Sequence, residues 1–304
     1  MLRRKYSSNL VIFLERGDWA KALGGMARRN VFLSNFALMS TILFNKAVFG
    51  PIHSRRLGVS LGINLLPTDG KVCSFDCLYC ECGFNRRGDG VPKLSPLPTR
   101  GEVAEQLENA LVKMVQDGEC PDVITYAGNG EPTLHPHFAE IVGDTVALRD
   151  KYAPKAKVCV LTNATRLGDA KVVEGLCLTD EAILKIDSGL ESTVKMLDRP
   201  TGAYSLDTVV ERIAALRERL GDALTIQTMF VTWTDEDGVE HDNSREEDVK
   251  PWLEILRRLS PPRLMIYTID RETPLKTMVK TAPAVLDAIA ARAREIVPEV
   301  SVSY

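Results

Sequence analysis

Six short apolar runs recur between residues 58 and 269, and helical patterns separate them. The runs are 58–66 (GVSLGINLL), 122–127 (DVITYA), 157–162 (KVCVLT), 181–187 (EAILKID), 224–231 (LTIQTMFV) and 263–269 (RLMIYTI). Each has strand length, and most are apolar throughout, as in a sheet covered by helices. In EVAEQLENALVKMV, Val103, Leu107, Leu111 and Val115 fall four apart and mark one helix face. Thr99 and Glu102 form a capping box ahead of it. Ser205 opens a second helix, Ser244 with Glu247 is expected to cap EEDVKPWLEILRRL, and Thr281 with Pro283 opens the last. Strands alternating with helices predict an α/β fold with a parallel sheet. The first strand is not followed by G-x-G-x-x-G, and there is no P-loop. The expected architecture is therefore a partial (β/α)6 TIM-like barrel over 46–304, with a short extension at 1–45.

Chemistry in such barrels gathers where the strands end. Here the six ends read CSFDCLYC, GNGEPTLH, NAT, DS, TWT and DRETP. Each carries groups that bind or react. GNGEP in isolation is a turn, since Gly and Asn are ordinary turn residues. Its position at a strand end raises it to a candidate site.

The first strand end is the most specific. Four of the seven cysteines lie within 73–82, and Cys73, Cys77 and Cys80 follow a C-x3-C-x2-C spacing. An odd, clustered set is not a secreted disulfide framework; it points to metal or redox chemistry. A structural zinc needs four ligands, normally from two separated pairs. Cys82 would be a cramped fourth ligand, and no second pair exists elsewhere. A cubane [4Fe–4S] cluster can use three thiolates and leave one iron open for a small chelating ligand, an arrangement suited to catalysis. Zinc, a thiol pair and a cluster stay open on spacing alone. Cys159, inside VCVL, reads as a small buried hydrophobe.

The net charge of −3 is uneven: residues 1–45 carry +5 and the remainder −8. An acidic body speaks against non-specific nucleic-acid binding, which needs a basic footprint. The longest greasy stretch, 31–44, is broken by Ser34, Asn35, Ser40 and Thr41 and falls short of a span. Glu15, Arg16 and Asp18 interrupt any signal peptide. The expected location is the cytoplasm, with no membrane partner. The basic segment 1–45 reads as a helical extension or as a leader upstream of a functional start near Met39.

C-x3-C-x2-C with Tyr79 before its last cysteine resembles the signature of radical S-adenosylmethionine (SAM) enzymes. GNGEPTL resembles that family's Gly-Gly-Glu motif, with Asn129 in a glycine-like position. LTNAT resembles its Thr-Asn-Gly-Thr strand end. The resemblance covers residues 47–275 in order. GPIHSRRLGVSLGINLLP, ILKIDSG and LMIYTIDRETP look more narrowly like the branch that holds the wyosine-forming tRNA synthases and their uncharacterised bacterial relatives.

The resemblance implies a [4Fe–4S] cluster on Cys73, Cys77 and Cys80, with SAM on the open iron. It places Gly128, Asn129, Gly130 and Glu131 at the methionine amino group and Tyr79 near the adenine. Asn163 and Ser188 approach the carboxylate or ribose. The activity implied is reductive cleavage of SAM to a 5′-deoxyadenosyl radical that takes hydrogen from a substrate, with the protein supplying orientation and a dry cavity. No flavodoxin-like domain is present, so an external donor of flavodoxin or ferredoxin type is expected. The substrate stays open between a tRNA base, a peptide or protein, and a small metabolite. Against wyosine synthesis itself, no cysteine precedes Cys73. The rival class is a non-catalytic barrel that binds zinc or an iron–sulfur cluster. Cys82 reads as a bystander thiol. Arg55 and Arg56 read equally as surface charges or as ligands of a substrate anion. Lys185 and Asp187 form either a buried structural pair or a substrate-facing one, with imine formation at Lys185 a further option. His135 and His137 read as surface residues, and the acidic stretch 234–248 as a solvated loop.

Overall fold

The six apolar runs all become parallel strands of one sheet. In the computed structural model, which describes residues 42–54, 57–86 and 93–304, they are β2 (Gly58–Ile63), β3 (Val123–Tyr126), β4 (Lys157–Thr162), β5 (Glu181–Lys185), β6 (Leu224–Met229) and β9 (Arg263–Tyr267). Two further strands extend this sheet. β1 (Val48–Ser54) pairs antiparallel with β2, and β11 (Glu299–Ser303) pairs parallel with β9. The order is β1-β2-β3-β4-β5-β6-β9-β11. Successive parallel strands are thus spatial neighbours with no reversal of order, as in a (β/α) barrel and unlike a doubly wound sheet. Among the described residues β1 and β11 do not pair, so the barrel is partial.

β3 and β6 are buried at every position because helices cover the sheet. These are α1 (Arg100–Gln116), α2 (Phe138–Tyr152), α3 (Ala170–Leu176), α4 (Glu191–Leu197), α5 (Leu206–Leu220), α6 (Glu246–Leu259) and α7 (Pro283–Ala293). The Thr99–Glu102 capping box forms. The buried face of α1 is Val103, Leu107, Leu111 and Met114, while Val115 is exposed. A 3.6-residue turn drifts off a strict spacing of four within three steps. Ser205 caps α5 as expected, its hydroxyl accepting from the Thr208 N–H at 3.3 Å. Ser244 does not cap α6. Its hydroxyl donates to Asp242 Oδ1 at 2.6 Å, and Arg245 takes the cap position. Trp252 of α6 is fully buried, edge-on to Phe230, and donates to Thr228 Oγ1 at 3.0 Å. Gly189 lies so close that a Cβ there would stand 2.1 Å from the Trp252 backbone nitrogen.

The acidic stretch 234–248 is not a plain solvated loop. It contributes to a three-stranded antiparallel sheet of β10 (Val279–Lys280), β7 (Val231–Thr234) and β8 (Glu240–Asp242). Trp233 is buried there against His241, and Asn243 is buried with its amide donating to the carbonyls of Asp187 and Met229. Among the described residues no helix is long and apolar enough to cross a membrane. Residues 1–41 of the expected extension, the start near Met39, and Arg55 and Arg56 lie outside the described residues.

Candidate active site

The loop after β2 is fastened to the end of β3 by backbone. Val72 forms a bridge with Gly130: its N–H donates to the Asn129 carbonyl at 2.9 Å, and its carbonyl accepts from the Glu131 N–H at 3.1 Å. Gly130 has φ +141°, and a Cβ there would lie 1.8 Å from the Val72 oxygen. Gly128 has φ +154°, with Asn64 Oδ1 2.5 Å from the place of a Cβ. Both positions require glycine for backbone conformation and for space. The loop's far side rests on α4, where Asp76 and Leu78 donate to the carbonyls of Asp198 and Leu197. Asn85 completes the fastening, accepting from the Cys73 N–H at 2.8 Å.

This anchoring brings Cys73, Cys77 and Cys80 to the wall of one cavity of about 220 Å³. Tyr79, Gly128, Gly130, Glu131 and Asn163 also line it. Of the residues expected to contact SAM, Asn129 and Ser188 do not. The Asn129 side chain is buried between Phe44 and Pro67, donating to both carbonyls. Ser188 is buried and donates to Asp248. Cys82 stands outside the lining, its thiol 3.1 Å from the Gly128 carbonyl. Lys71, Thr162, Lys185 and Gln227 complete the polar lining, with Phe75, Leu161 and Ile183 supplying apolar wall. Lys71 and Gln227 carry a signal the sequence reading passed over: each is a polar side chain that structure buries beside a motif or inside a strand.

Glu131 ties two strand ends together. Its Oε1 accepts from Thr133 Oγ1 at 2.6 Å and Thr162 Oγ1 at 2.7 Å, and Oε2 accepts from the Asn163 N–H at 2.8 Å. Burial raises its pKa despite these donors. Asn163 Nδ2 donates to Ser74 Oγ at 2.8 Å and lies 3.6 Å from Cys73 Sγ.

The surroundings of the thiols fit iron–sulfur ligands. Amide donors point at Cys73 Sγ, from Phe75 N at 3.4 Å as well as from Asn163. Lys71 is buried, with its ammonium 3.1 Å from the Gly83 carbonyl and 3.6 Å from Asp76. Burial pulls its pKa down, but Cys80, Cys77, Cys73 and Asp76 outweigh this and hold it above the usual value. The Cys80 thiol is drawn down, first by the neighbouring Cys82 and further by Lys71. Burial pushes Cys73 up to about 12 and Cys77 well above its usual value. Among the described residues no three His, Cys, Asp or Glu side chains are placed to hold a single metal ion. A cluster asks for less convergence, because each thiolate meets a different iron.

Tyr79, Lys185, Asp187 and Asp198 form a buried quartet behind Cys77. The Tyr79 hydroxyl contacts Asp187 and Lys185 and lies 3.2 Å from Asp198 Oδ1. Lys185 and Asp187 are therefore a paired set, with Lys185 at the cavity wall. His135 is buried rather than at the surface, while His137 is exposed.

A model of the radical SAM superfamily matches residues 68–244. The chain belongs to the radical SAM superfamily. Its cofactors are those of the superfamily, a [4Fe–4S] cluster and SAM. A UPF0026 protein of Synechocystis sp. is 31% identical over 231 residues, covering 76% of this chain and 78% of that protein. It is one of the bacterial relatives to which the sequence pointed. A protein of Brachyspira hyodysenteriae named GTPase Obg is 28% identical over 76% of this chain, and the chain spans 31% of that relative's length. In fold, the chain is similar to a radical SAM methyltransferase from Sphaerobacter thermophilus. The TM-score is 0.59 at 15% identity, over 81% of this chain and 66% of that one.

Proposed function

We propose that this radical SAM enzyme cleaves SAM reductively and abstracts a hydrogen atom from its substrate. The observation that carries the reading is the convergence of Cys73, Cys77 and Cys80 on one cavity with Gly128, Gly130, Glu131 and Asn163. In this reading Cys73, Cys77 and Cys80 would hold the cluster, with SAM beside it against Gly128, Gly130, Glu131 and Asn163. When bound, the cluster supplies the electron that splits SAM into methionine and a 5′-deoxyadenosyl radical.

The chain's own residues orient SAM. Gly128 and Gly130 let the backbone approach closely, and the Glu131 carboxylate receives the methionine amino group. Asn163 meets the carboxylate or ribose. The Tyr79 ring, Leu161 and Ile183 keep water from the adenine side. Asn129 and Ser188 act at one remove, bracing Phe44, Pro67 and α6 through the contacts described above. An external flavodoxin or ferredoxin delivers the electron.

The test is anaerobic reconstitution followed by incubation with SAM and dithionite. Formation of 5′-deoxyadenosine supports the reading; its absence from folded, iron-loaded protein overturns it. Mass spectrometry of tRNA and metabolites from cells with and without the gene separates the substrate classes. An unchanged tRNA profile removes the tRNA reading.

A further inference from the structure

Lys185 ends β5 in the wall of the cavity, and its Nζ lies 3.8 Å from Cys77 Sγ. The same ammonium lies 3.5 Å from Asp187 Oδ2 and 3.8 Å from Asp198 Oδ1, and it donates to the Tyr79 hydroxyl. Both carboxylates are buried, at 0% and 1% side-chain exposure. Two buried carboxylates and the Tyr79 hydroxyl thus hold the lysine amine against a ligand thiolate.

A positive charge there favours the more reduced form of a cluster, and a buried carboxylate beside it disfavours that form. Asp187 also braces β6, accepting from the Met229 N–H at 2.9 Å. The Asp198 carboxyl meets Tyr79, Lys185 and the Cys77 thiol, and no strand backbone among the described residues. It is thus the member whose charge can be removed with least disturbance to the sheet.

We propose that Lys185 is a positioning residue that holds up the reduction potential of the cluster through Cys77, with Asp198 as its counterweight. This rests on the cluster reading given above. The quartet then has a purpose beyond filling the core. It places one amine against the thiolate and two carboxyl groups beside that amine.

The test is a redox titration of the anaerobically reconstituted full chain, followed by electron paramagnetic resonance, with iron and sulfide measured on each sample. Lys185→Met is expected to titrate at a more negative potential than wild type, Asp198→Asn at a more positive one, and Lys185→Arg near wild type. Opposite shifts are the signature, because a purely structural role moves iron content or stability and not the sign of a potential. If Lys185→Met fails to hold iron, Asp198→Asn and Lys185→Arg decide. Wild-type potentials in iron-loaded variants, or shifts in one direction for both charge removals, overturn the proposal. A wild-type chain that takes up no iron overturns the cluster reading itself.

Discussion

The carbonyl oxygen of Val72 occupies the space that a side chain on Gly130 would need. That contact is where the cysteine loop and the strand end carrying Glu131 become one unit, since the flanking Val72 hydrogen bonds run to Asn129 and Glu131. Gly130→Ala must move the Val72 backbone and force a side chain onto φ +141°. The expected loss is roughly 3 kcal/mol of stability, read from urea unfolding of the apo chain. A loss below about 1 kcal/mol would show that the bridge can shift freely.

Ala164 presents the reverse case. It stands in LTNAT with φ +63°, a left-handed conformation without a glycine. Ala164→Gly should relieve this strain and stabilise the chain by up to about 1 kcal/mol. Thermal melts of both proteins measure it, and a destabilised variant would mean that packing around the buried methyl outweighs the strain.

His135 gives a dependence on pH. Its Nδ1 accepts from the His137 N–H at 3.1 Å while Nε2 faces the Pro98 carbonyl at 2.9 Å, an arrangement that needs the neutral ring. Burial lowers its pKa from 6.5. The unfolded chain therefore binds the proton first, so this contribution is intact above 6.5 and fades as the pH falls below it. Urea midpoints of wild type and His135→Gln, compared at about pH 7.5 and about pH 5.5, should show a narrower gap at the lower pH. A constant gap would contradict the assignment.

Cys82 separates ligand from neighbour. Its thiol bonds the Gly128 carbonyl and does not line the cavity. Cys82→Ser keeps a donor at that carbonyl and should retain wild-type iron within experimental scatter. Loss of iron in this variant, on reconstitution and colorimetric assay, would make Cys82 a fourth ligand.

The barrel was legible because buried parallel strands are continuous apolar runs. β11 was not, since EVSVS alternates polar and apolar residues at the sheet edge. Thr99 could be read as a cap from sequence, whereas Ser244 could not be excluded as one. Whether a serine bonds its helix or a nearby Asp242 is decided by chain direction, which spacing does not carry. The three clustered thiols were readable from a local motif. The quartet behind them was not, because Lys185 and Tyr79 stand 106 positions apart and meet only through the strand order. Ser188 was drawn toward SAM by its place at a strand end, yet its hydroxyl turns to Asp248 on α6.

Everything proposed for the cavity depends on Cys73, Cys77 and Cys80 together holding one cluster. Iron and acid-labile sulfide, assayed after anaerobic reconstitution of wild type and of the Cys73→Ala/Cys77→Ala/Cys80→Ala variant, test it most directly. The expected result is iron and sulfide for a single [4Fe–4S] cluster per wild-type chain and neither in the folded variant. Wild type that carries zinc in place of iron, or a variant that keeps its cluster, would contradict it.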